Sequence, residues 1–478
     1  MNKYRQQFLL TKLQDISLEW DKIEIGDYTL HTHPELCITI SKKEDKTIIL
    51  LGSIYDWETP EHTNQQIADI LISQHSIEDL FHKIGHFAGH FIIIYRDEQD
   101  FLIFGDASGS REIYYDLDFT IFASQVKLLC EFIEPEEYTE KDAIEFYRSP
   151  TFKKYRLFIG DTTHYISIKH LLPNKYIHIK NKKVQRYFPV ENLISQKIDD
   201  VVTEVSKIIK GFLKAAAIRK KLLLATTAGY DSRLLLLASL ETDCKYFIYR
   251  HRSMKDSHPD IKIPLLLTKL YNKPFEIIDN IEGYEDISHS VDFPFTTPKR
   301  SKYYFDHLYL NANINEITRN YYSVRNNITA KILSSAKGYK QHPFILKTYN
   351  EWLEEATLNC QQKGYNLAEM FYWEESRGTF YAKGMTADYA LGIDTFTPFN
   401  SHNLISLLLS VDVKYRNMYN NILYNKLLLG FSKDALKYPI NPCFKIFLFK
   451  FLTRIGVYNF LKIFYLRYGI KRLMKKEV

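Results

Sequence analysis

Between two apolar runs in "KLLLATTAGYDSRLLLLAS", residues 221–239, lies the polar turn Thr226-Thr227-Ala228-Gly229-Tyr230-Asp231-Ser232-Arg233. An apolar strand followed at once by an apolar helix makes this a strand-to-helix connection. Its small, hydroxylated and acidic residues suit phosphate better than they suit a plain turn. Gly229 can take backbone angles that bring consecutive N–H groups round to one side, forming an anion nest. Asp231 and Ser232 then fall in the first helical turn, where unpaired N–H groups and the helix dipole favour phosphate oxygens. A carboxylate beside an anion calls for a divalent cation between them, and Mg²⁺ accepts carboxylate, phosphate and water ligands. Asp231-Ser232 as a bare helix N-cap is the alternative, and it would carry no chemistry.

Two other motifs fail on spacing. No Lys follows the turn, so it is not the phosphate loop G-x-x-x-x-G-K-[ST]. Ser232 stands three places after Gly229 with Arg233 next, so it is not the G-x-S-x-G nucleophile elbow.

The elements that must hold this turn alternate. "KLLLATT" reads as a buried strand, "DSRLLLLASL" as a helix, "CKYFIYRH" as a strand, "PDIKIPLLLTKLY" as a helix and "PFEIID" as a strand. That order predicts an α/β domain on a parallel sheet, with ligands at the carboxyl ends of the strands. A helix over "VVTEVSKIIKGFLKAAAI" precedes it, and beyond 300 the chain reads as helical, including "NLISLLLSV". Residues 1–190 differ. "ELCITISK", "KTIILLG", "GHFIIIYRD", "DFLIFGD", "IYYDLDFTIFAS" and "KYIHIKNKKVQRYF" are short strands, and helical periodicity is confined to "TNQQIADILIS" and "TEKDAIEFYR". A layered sheet domain follows from that pattern. His31 and His33 in "HTHPE" read as a polar loop, and "GDASGSR" as a tight hairpin rather than an anion nest.

At 478 residues the chain exceeds one ordinary core, and 45% apolar with 25% charged residues is a globular composition. Three segments are expected: 1–190, 191–442 and a basic aromatic helical tail, 443–478. The five cysteines are widely spaced, with no C-x-x-C pair, which argues against a disulfide framework or a zinc site. The N-terminus lacks the apolar core of a signal peptide, and no run of about 18 apolar residues occurs, so a cytoplasmic protein is expected. The tail carries nine Lys/Arg and one Glu, a net of +8, which leaves the other 442 residues at −2. A nucleic-acid partner for the body therefore has no electrostatic support.

"TTAGYDSR" resembles the S-G-G-x-D-S loop of the asparagine synthetase family, with Ala228 where the first glycine is usual. The resemblance continues in register. "SHPDIKIPLLLTKL" is similar to the family's S-P-D-L-x-x-A segment and puts Asp260 at a second Mg²⁺-ligand position. "LNANINEITRNYY" resembles the pyrophosphate-side loop, where Glu316 matches a metal-binding acid and Arg319 a basic residue of divergent members. Asn313 falls where asparagine synthetases carry a functional glutamate. Outside that resemblance, Asp260 would be an N-cap, and Glu316 with Arg319 an i,i+3 surface pair. The N-terminal "FAGHFIIIYRDEQDFLIFGDASGSREIYYD" and "HLLPNKYIHIKNKKVQRYFP" resemble the family's glutaminase hairpins and closing segment. A glutaminase of this type needs Cys directly after the initiator Met, where this chain has Asn2; its first cysteine, Cys37, falls inside a predicted strand.

The resemblance implies an Ntn-hydrolase-like layered sheet domain that has lost its nucleophile, followed by a HUP-like ATP pyrophosphatase domain. ATP and Mg²⁺ would be the cofactors. Ala225, Thr226, Thr227, Gly229, Asp231 and Ser232 would hold ATP phosphates, and Asp231, Asp260 and Glu316 the metal. Arg319 and Asn313 would be the catalytic pair of positions. The reaction would be adenylation of a small-molecule, glycan or peptide carboxylate, then transfer to an amine or to ammonia from a separate source. A non-catalytic relic that binds nucleotide or a partner is the other reading; transfer to tRNA is disfavoured by the body's charge. The tail, with basic residues among Phe, Leu, Ile and Tyr, suits either peripheral contact with the inner membrane surface or a helix pair packed on the body. Purified protein is expected to release no glutamate from glutamine. Glutamate release abolished by Cys37→Ala would overturn that expectation.

Overall fold

The computed structural model describes residues 3–155, 157–250, 254–279, 284–288, 290–291, 296–298, 306–339 and 341–468; Asn2 and the last ten positions of the tail lie outside them. The chain opens with β1 (Phe8–Thr11), β2 (Asp21–Ile25), β3 (Tyr28–Thr32), β4 (Ile38–Lys43), β5 (Lys46–Tyr55) and β6 (Ala88–Arg96). It continues with β7 (Phe101–Gly105), β8 (Tyr114–Asp116), β9 (Ile121–Ala123), β10 (Ile168–His170), β11 (Lys175–His178) and β12 (Lys183–Arg186). These twelve form two six-stranded antiparallel sheets, ordered β10-β8-β9-β1-β3-β2 and β12-β11-β7-β6-β5-β4.

The apolar runs are unbroken because both faces of each sheet are covered. In β5, Ile49 and Leu51 join Phe8 and Leu10 of β1 and Ile92 and Ile94 of β6 in a core shared by the two sheets. Ile48 and Leu50 point the other way, into a second core roofed by α1 (Asn64–Ile72) and α2 (Ile77–Ile84). α1 starts where Thr63 and Gln66 form a reciprocal capping box. On the first sheet the outward residues Leu9, Ile121 and Ala123 pack under α3 (Val126–Leu129), with α4 (Lys141–Arg148) and α5 (Pro150–Tyr155) beyond. Each buried Leu, Ile or Phe of this kind contributes about 1.5–3 kcal/mol.

The second half is built on α6 (Ile198–Arg219), β13 (Leu222–Ala225), α7 (Tyr230–Ala238), β14 (Cys244–Tyr249), α8 (Pro259–Leu270) and β15 (Phe275–Ile278). β16 (Tyr284–Asp286) and β17 (Thr296–Pro298) pair as a separate ribbon. β18 (Leu308–Leu310) and β19 (Asp394–Phe396) complete a sheet ordered β15-β14-β13-β18-β19, parallel throughout. The molecule is therefore mixed α/β, with two antiparallel sheets and a separate parallel five-stranded sheet.

The halves share one apolar core that runs from Tyr4 to Ile440. α6 crosses the junction, and its Gly211 lets the Trp57 carbonyl approach so closely that a Cβ there would overlap it. Buried polar groups also cross it. Glu374, on a π-helical segment Tyr372–Tyr381, receives Arg186 of β12 as a bidentate partner. It also accepts from Asn174 Nδ2 at 2.8 Å and from Trp352 Nε1 at 2.8 Å. Burial alone would raise this carboxyl; the charge and hydrogen bonds of Arg186 outweigh it and hold the group below its usual range.

Several sequence expectations are corrected. His31 lies in β3 and His33 just after it, both buried, because three N-terminal strands too short to show periodicity fold inward there. Burial pushes both imidazoles down. "GDASGSR" is not a hairpin, since β7 and β8 belong to different sheets. The turn instead wraps its own carboxylate: Asp106 accepts from the Ser108 and Ser110 backbone N–H groups, from Phe91 N and from Asn400 Nδ2. α2, α3 and α5 add helices that two or fewer clear turns concealed in the sequence. Cys37 is exposed and sits one residue before β4 rather than inside it. The stretch after 300 is not wholly helical, because β18 and β19, three residues each, extend the parallel sheet.

Removing one partner of the buried Arg186–Glu374 pair should cost about 3–5 kcal/mol, read as a lower urea midpoint for Glu374→Ala. Because the folded carboxyl is depressed, its stabilisation is present above the unfolded value of about 4.3 and lost as pH falls through the folded value. Parent stability should therefore fall more steeply than that of Glu374→Gln below about pH 4. Parallel acid profiles for the two proteins would show that the pair is not formed.

Candidate functional site

β13 ends at Ala225, and Thr226, fully buried, prolongs the ladder by donating its N–H to Phe247 O at 2.9 Å. The chain then turns on its own side chains. Thr227 N donates to Ser232 Oγ at 2.9 Å, Gly229 N to Thr227 Oγ1 at 3.3 Å, and Ala228 N to Asp260 Oδ1 at 2.8 Å. Gly229 caps α7 with φ −76°, an extended conformation open to any residue. The left-handed nest expected of Gly229 is thus not formed. What the glycine supplies is room: a Cβ would meet Thr227 Oγ1 at 3.3 Å and Asn441 Oδ1 at 3.5 Å.

α7 is anchored from behind. Arg233 is fully buried and donates to the Ala435, Tyr438 and Pro439 carbonyls at 2.7–3.1 Å, and Asn441 N donates to Ala228 O at 3.1 Å. Desolvation lowers its guanidinium to about 10. This clamp leaves the first turn of α7, with Asp231, directed toward the carboxyl edge of the sheet.

Asp231 is not a cap, since the N-cap is Gly229 and makes no side-chain cap bond. Its carboxylate forms an ion pair with Arg319 and accepts from Asn315 Nδ2 at 2.9 Å. Asn315, Glu316 and Arg319 share one 3-10 helix, Asn315–Arg319, which follows β18. The Arg319 guanidinium lies 4.6 Å from the Tyr424 ring centroid, and desolvation lowers its pKa. Glu316 does not pair with Arg319. It faces Arg377 Nη1 at 3.2 Å, without hydrogen-bond alignment, and burial raises its carboxyl against the pull of that arginine. Asp260 is likewise not a cap: His258 is the N-cap of α8, and its Nδ1 accepts from Asp260 N at 3.2 Å.

Topology explains why these segments meet. From β13 the sheet grows one way to β14 and β15, and the other way to β18 and β19. Loops leaving the carboxyl ends of β13 and β18 therefore splay apart at a switch point, where parallel α/β sheets bind ligands. The structure brings together Thr227, Gly229, Asp231, Ser232, Asp260, Glu316 and Arg319 on that edge. Asn313 is exposed, with only its backbone N–H bonded, to Asn311 Oδ1. Ala225 and Thr226 serve the strand, and no side-chain donor of theirs points to the edge.

Asp231 and Glu316 are each turned to an arginine, and among the described residues no group of three His, Cys, Asp or Glu is gathered as for a metal ion. The N–H groups of Thr227, Ala228 and Gly229 are engaged within the site, that of Ala228 by the Asp260 carboxylate. Asn315 and Arg377 were missed. Asn315 lies in the "NINE" stretch beside the chosen residues; Arg377 comes from a distant helix and carries no local signal. No protein-family model matches the chain, and no curated protein matches it.

Asp231→Ala leaves the largely buried Arg319 without its carboxylate. With Asp231 itself 38% exposed, the expected cost is about 1–2 kcal/mol, below the range for a fully buried pair. Arg319→Met in the Asp231→Ala background should recover part of that loss in urea unfolding. Additive losses in the cycle would mean the two side chains do not interact.

Proposed function

We propose that the chain is an ATP-dependent, AMP-forming carboxylate–amine ligase of the asparagine synthetase type, without its own glutaminase. The observation that carries this reading is the meeting of three separate segments at one switch point. Asp231 lies on the loop after β13, Asp260 at the start of α8, and Asn315, Glu316 and Arg319 after β18. Two antiparallel sheets with helices outside them are what an Ntn-hydrolase-like domain requires, and the parallel sheet is what a HUP-like domain requires.

The residues fit a nucleotide phosphate. Ala228 N already holds an anionic oxygen, that of Asp260, which stands where a phosphate oxygen would lie. Arg319 Nε is buried without a hydrogen-bond partner, as are Asn315 Oδ1 and Glu316 Oε2 on the same short helix. A guanidinium N–H of that kind suits a phosphate oxygen, and the two acceptors suit ordered water. Mg²⁺ keeps several waters and needs only one or two carboxylates beside phosphate, so Asp231 and Asp260 would suffice to hold it. When bound, it would neutralise charge on the pyrophosphate leaving group.

In the reaction this site would serve, an oxygen of the substrate carboxylate attacks the α-phosphorus of ATP, and the bond to pyrophosphate breaks. The amine or ammonia nitrogen then attacks the acyl carbon; AMP leaves, a proton is lost from nitrogen, and an amide forms. Thr227, Gly229 and Ser232 orient the phosphates, and Arg319 offsets the charge that builds on pyrophosphate. The N-terminal half serves as scaffold, since Glu374 anchors to it the helix that carries Arg377. Because Asp231 already has Arg319 as partner and the loop bonds to itself, a nucleotide-binding relic without catalysis is the second reading.

Calorimetric titration of the purified protein with ATP and Mg²⁺ should show binding that Asp231→Asn and Arg319→Met each weaken by about tenfold or more. No binding by the parent would overturn both readings. Binding together with exchange of labelled pyrophosphate into ATP, on addition of a carboxylate panel, supports the ligase. Binding with no exchange across glycan, peptide and amino-acid carboxylates supports the relic.

A further inference from the structure

The chain ends, within the described residues, in two helices, Phe444–Arg454 and Val457–Tyr468. Gly456 joins them at φ +76°, a left-handed turn that favours glycine. The hairpin docks on the body by one side. Phe449 and Tyr458 are buried against Tyr419, with ring centroids 4.9–5.3 Å apart. Leu466 joins a cluster with Val324 and Ile332, and Lys462 Nζ donates to Tyr321 O at 2.5 Å. This contact sets the hairpin two residues from Arg319.

The other side is apolar and faces outward. Phe444, Phe447, Phe451 and Ile455 recur at helical spacing on and just past the first helix, and Phe460 and Phe464 do so on the second. Phe444 is 80% exposed, Phe447 68% and Phe460 68%. Of the nineteen large apolar side chains exposed among the described residues, nine fall between 444 and 464. Scattered exposure is ordinary, but this concentration on one face marks an interaction surface.

Charge decides the occupant. From Cys443 to Lys476 the sequence holds no Asp or Glu, while Lys445, Lys450, Arg454 and Lys462 lie among the aromatics and four more Lys/Arg follow after 470. A second copy of this face would meet it with the same sign, so self-association has charge against it. A bilayer with anionic headgroups offers acyl chains to the Phe stripe and negative charge to its basic flanks. Helices of 11 and 12 residues rise only about 16–18 Å, and among the described residues no helix is long and apolar enough to cross a membrane.

We propose that the C-terminal hairpin 444–468 is an in-plane membrane anchor that seats its Phe stripe in an anionic lipid surface. The hairpin packs on the body by one side and presents an apolar face with basic flanks by the other. The anchor does not rest on the ligase reading. It sets the carboxyl edge of the parallel sheet near the lipid surface, because Tyr321 contacts the hairpin and Arg319 contacts Asp231.

The test is flotation of the full chain with vesicles of phosphatidylcholine alone or mixed with phosphatidylglycerol. The parent should float with the mixed vesicles and remain largely unbound with neutral ones. Phe447→Asp with Phe451→Asp, both on exposed positions, should cut the bound fraction by about tenfold without changing the circular dichroism spectrum. Lys445→Glu with Arg454→Glu should weaken binding in the same direction, and added salt should mimic it. No flotation by the parent, or equal flotation with neutral and anionic vesicles, would overturn the proposal. So would a parent dimer, seen by light scattering without vesicles, that the Phe447→Asp/Phe451→Asp protein loses, since the face would then be a contact between copies.

Discussion

The buried pair of Arg186 and Glu374 is the constraint on which the rest depends. Two charges without solvent need a full set of partners, and Glu374 has them: both guanidinium nitrogens, Asn174 and Trp352. Arg186 comes from β12 and Asn174 from the turn before β11, Glu374 and Trp352 from the C-terminal helices. Satisfying the pair therefore fixes how the halves meet. Neighbours tighten the same seam: Trp373 Nε1 donates to Ala107 O, Asn400 to Asp106, and Glu375 accepts from Gly160 N. Such a seam tolerates little sliding, because any shift leaves a buried polar group without its partner.

The consequence reaches the sheet edge through one helix. Arg377 is three residues beyond Glu374 on the same π-helical segment and faces the other way, toward Glu316. Its own hydrogen bond goes to Tyr372 at 3.1 Å. Burial alone would lower the Arg377 pKa, and the charge of Glu316, with that of Tyr372, more than reverses this, whereas burial raises the Glu316 carboxyl. The N-terminal half, through Arg186 and Glu374, thus helps to set the position of Arg377, which faces Glu316.

The edge itself is built on charge balance. Asp231 has Arg319 and Asn315, Glu316 has Arg377, and Asp260 has the Ala228 N–H. The loop after β13 is thus closed on internal partners.

The sequence alone determined what local pattern can determine. Runs such as "KTIILLG" and "KLLLATT" read as strands because they are short, unbroken and bounded by turn residues, and the small polar turn marked where β13 gives way to α7. It also singled out Asp260, Glu316 and Arg319, which lie at the carboxyl edge of the parallel sheet. It could not say what each carboxylate touches. The pairing of Arg319 and Asn315 with Asp231 joins residues far apart in the chain, brought within reach by the switch between β13 and β18, and that of Arg377 with Glu316 depends on the segment Tyr372–Tyr381. β18 and β19 were invisible for a related reason. Strands of three residues have no period to read, and their pairing with β13 and with each other, not their own sequence, makes them strands.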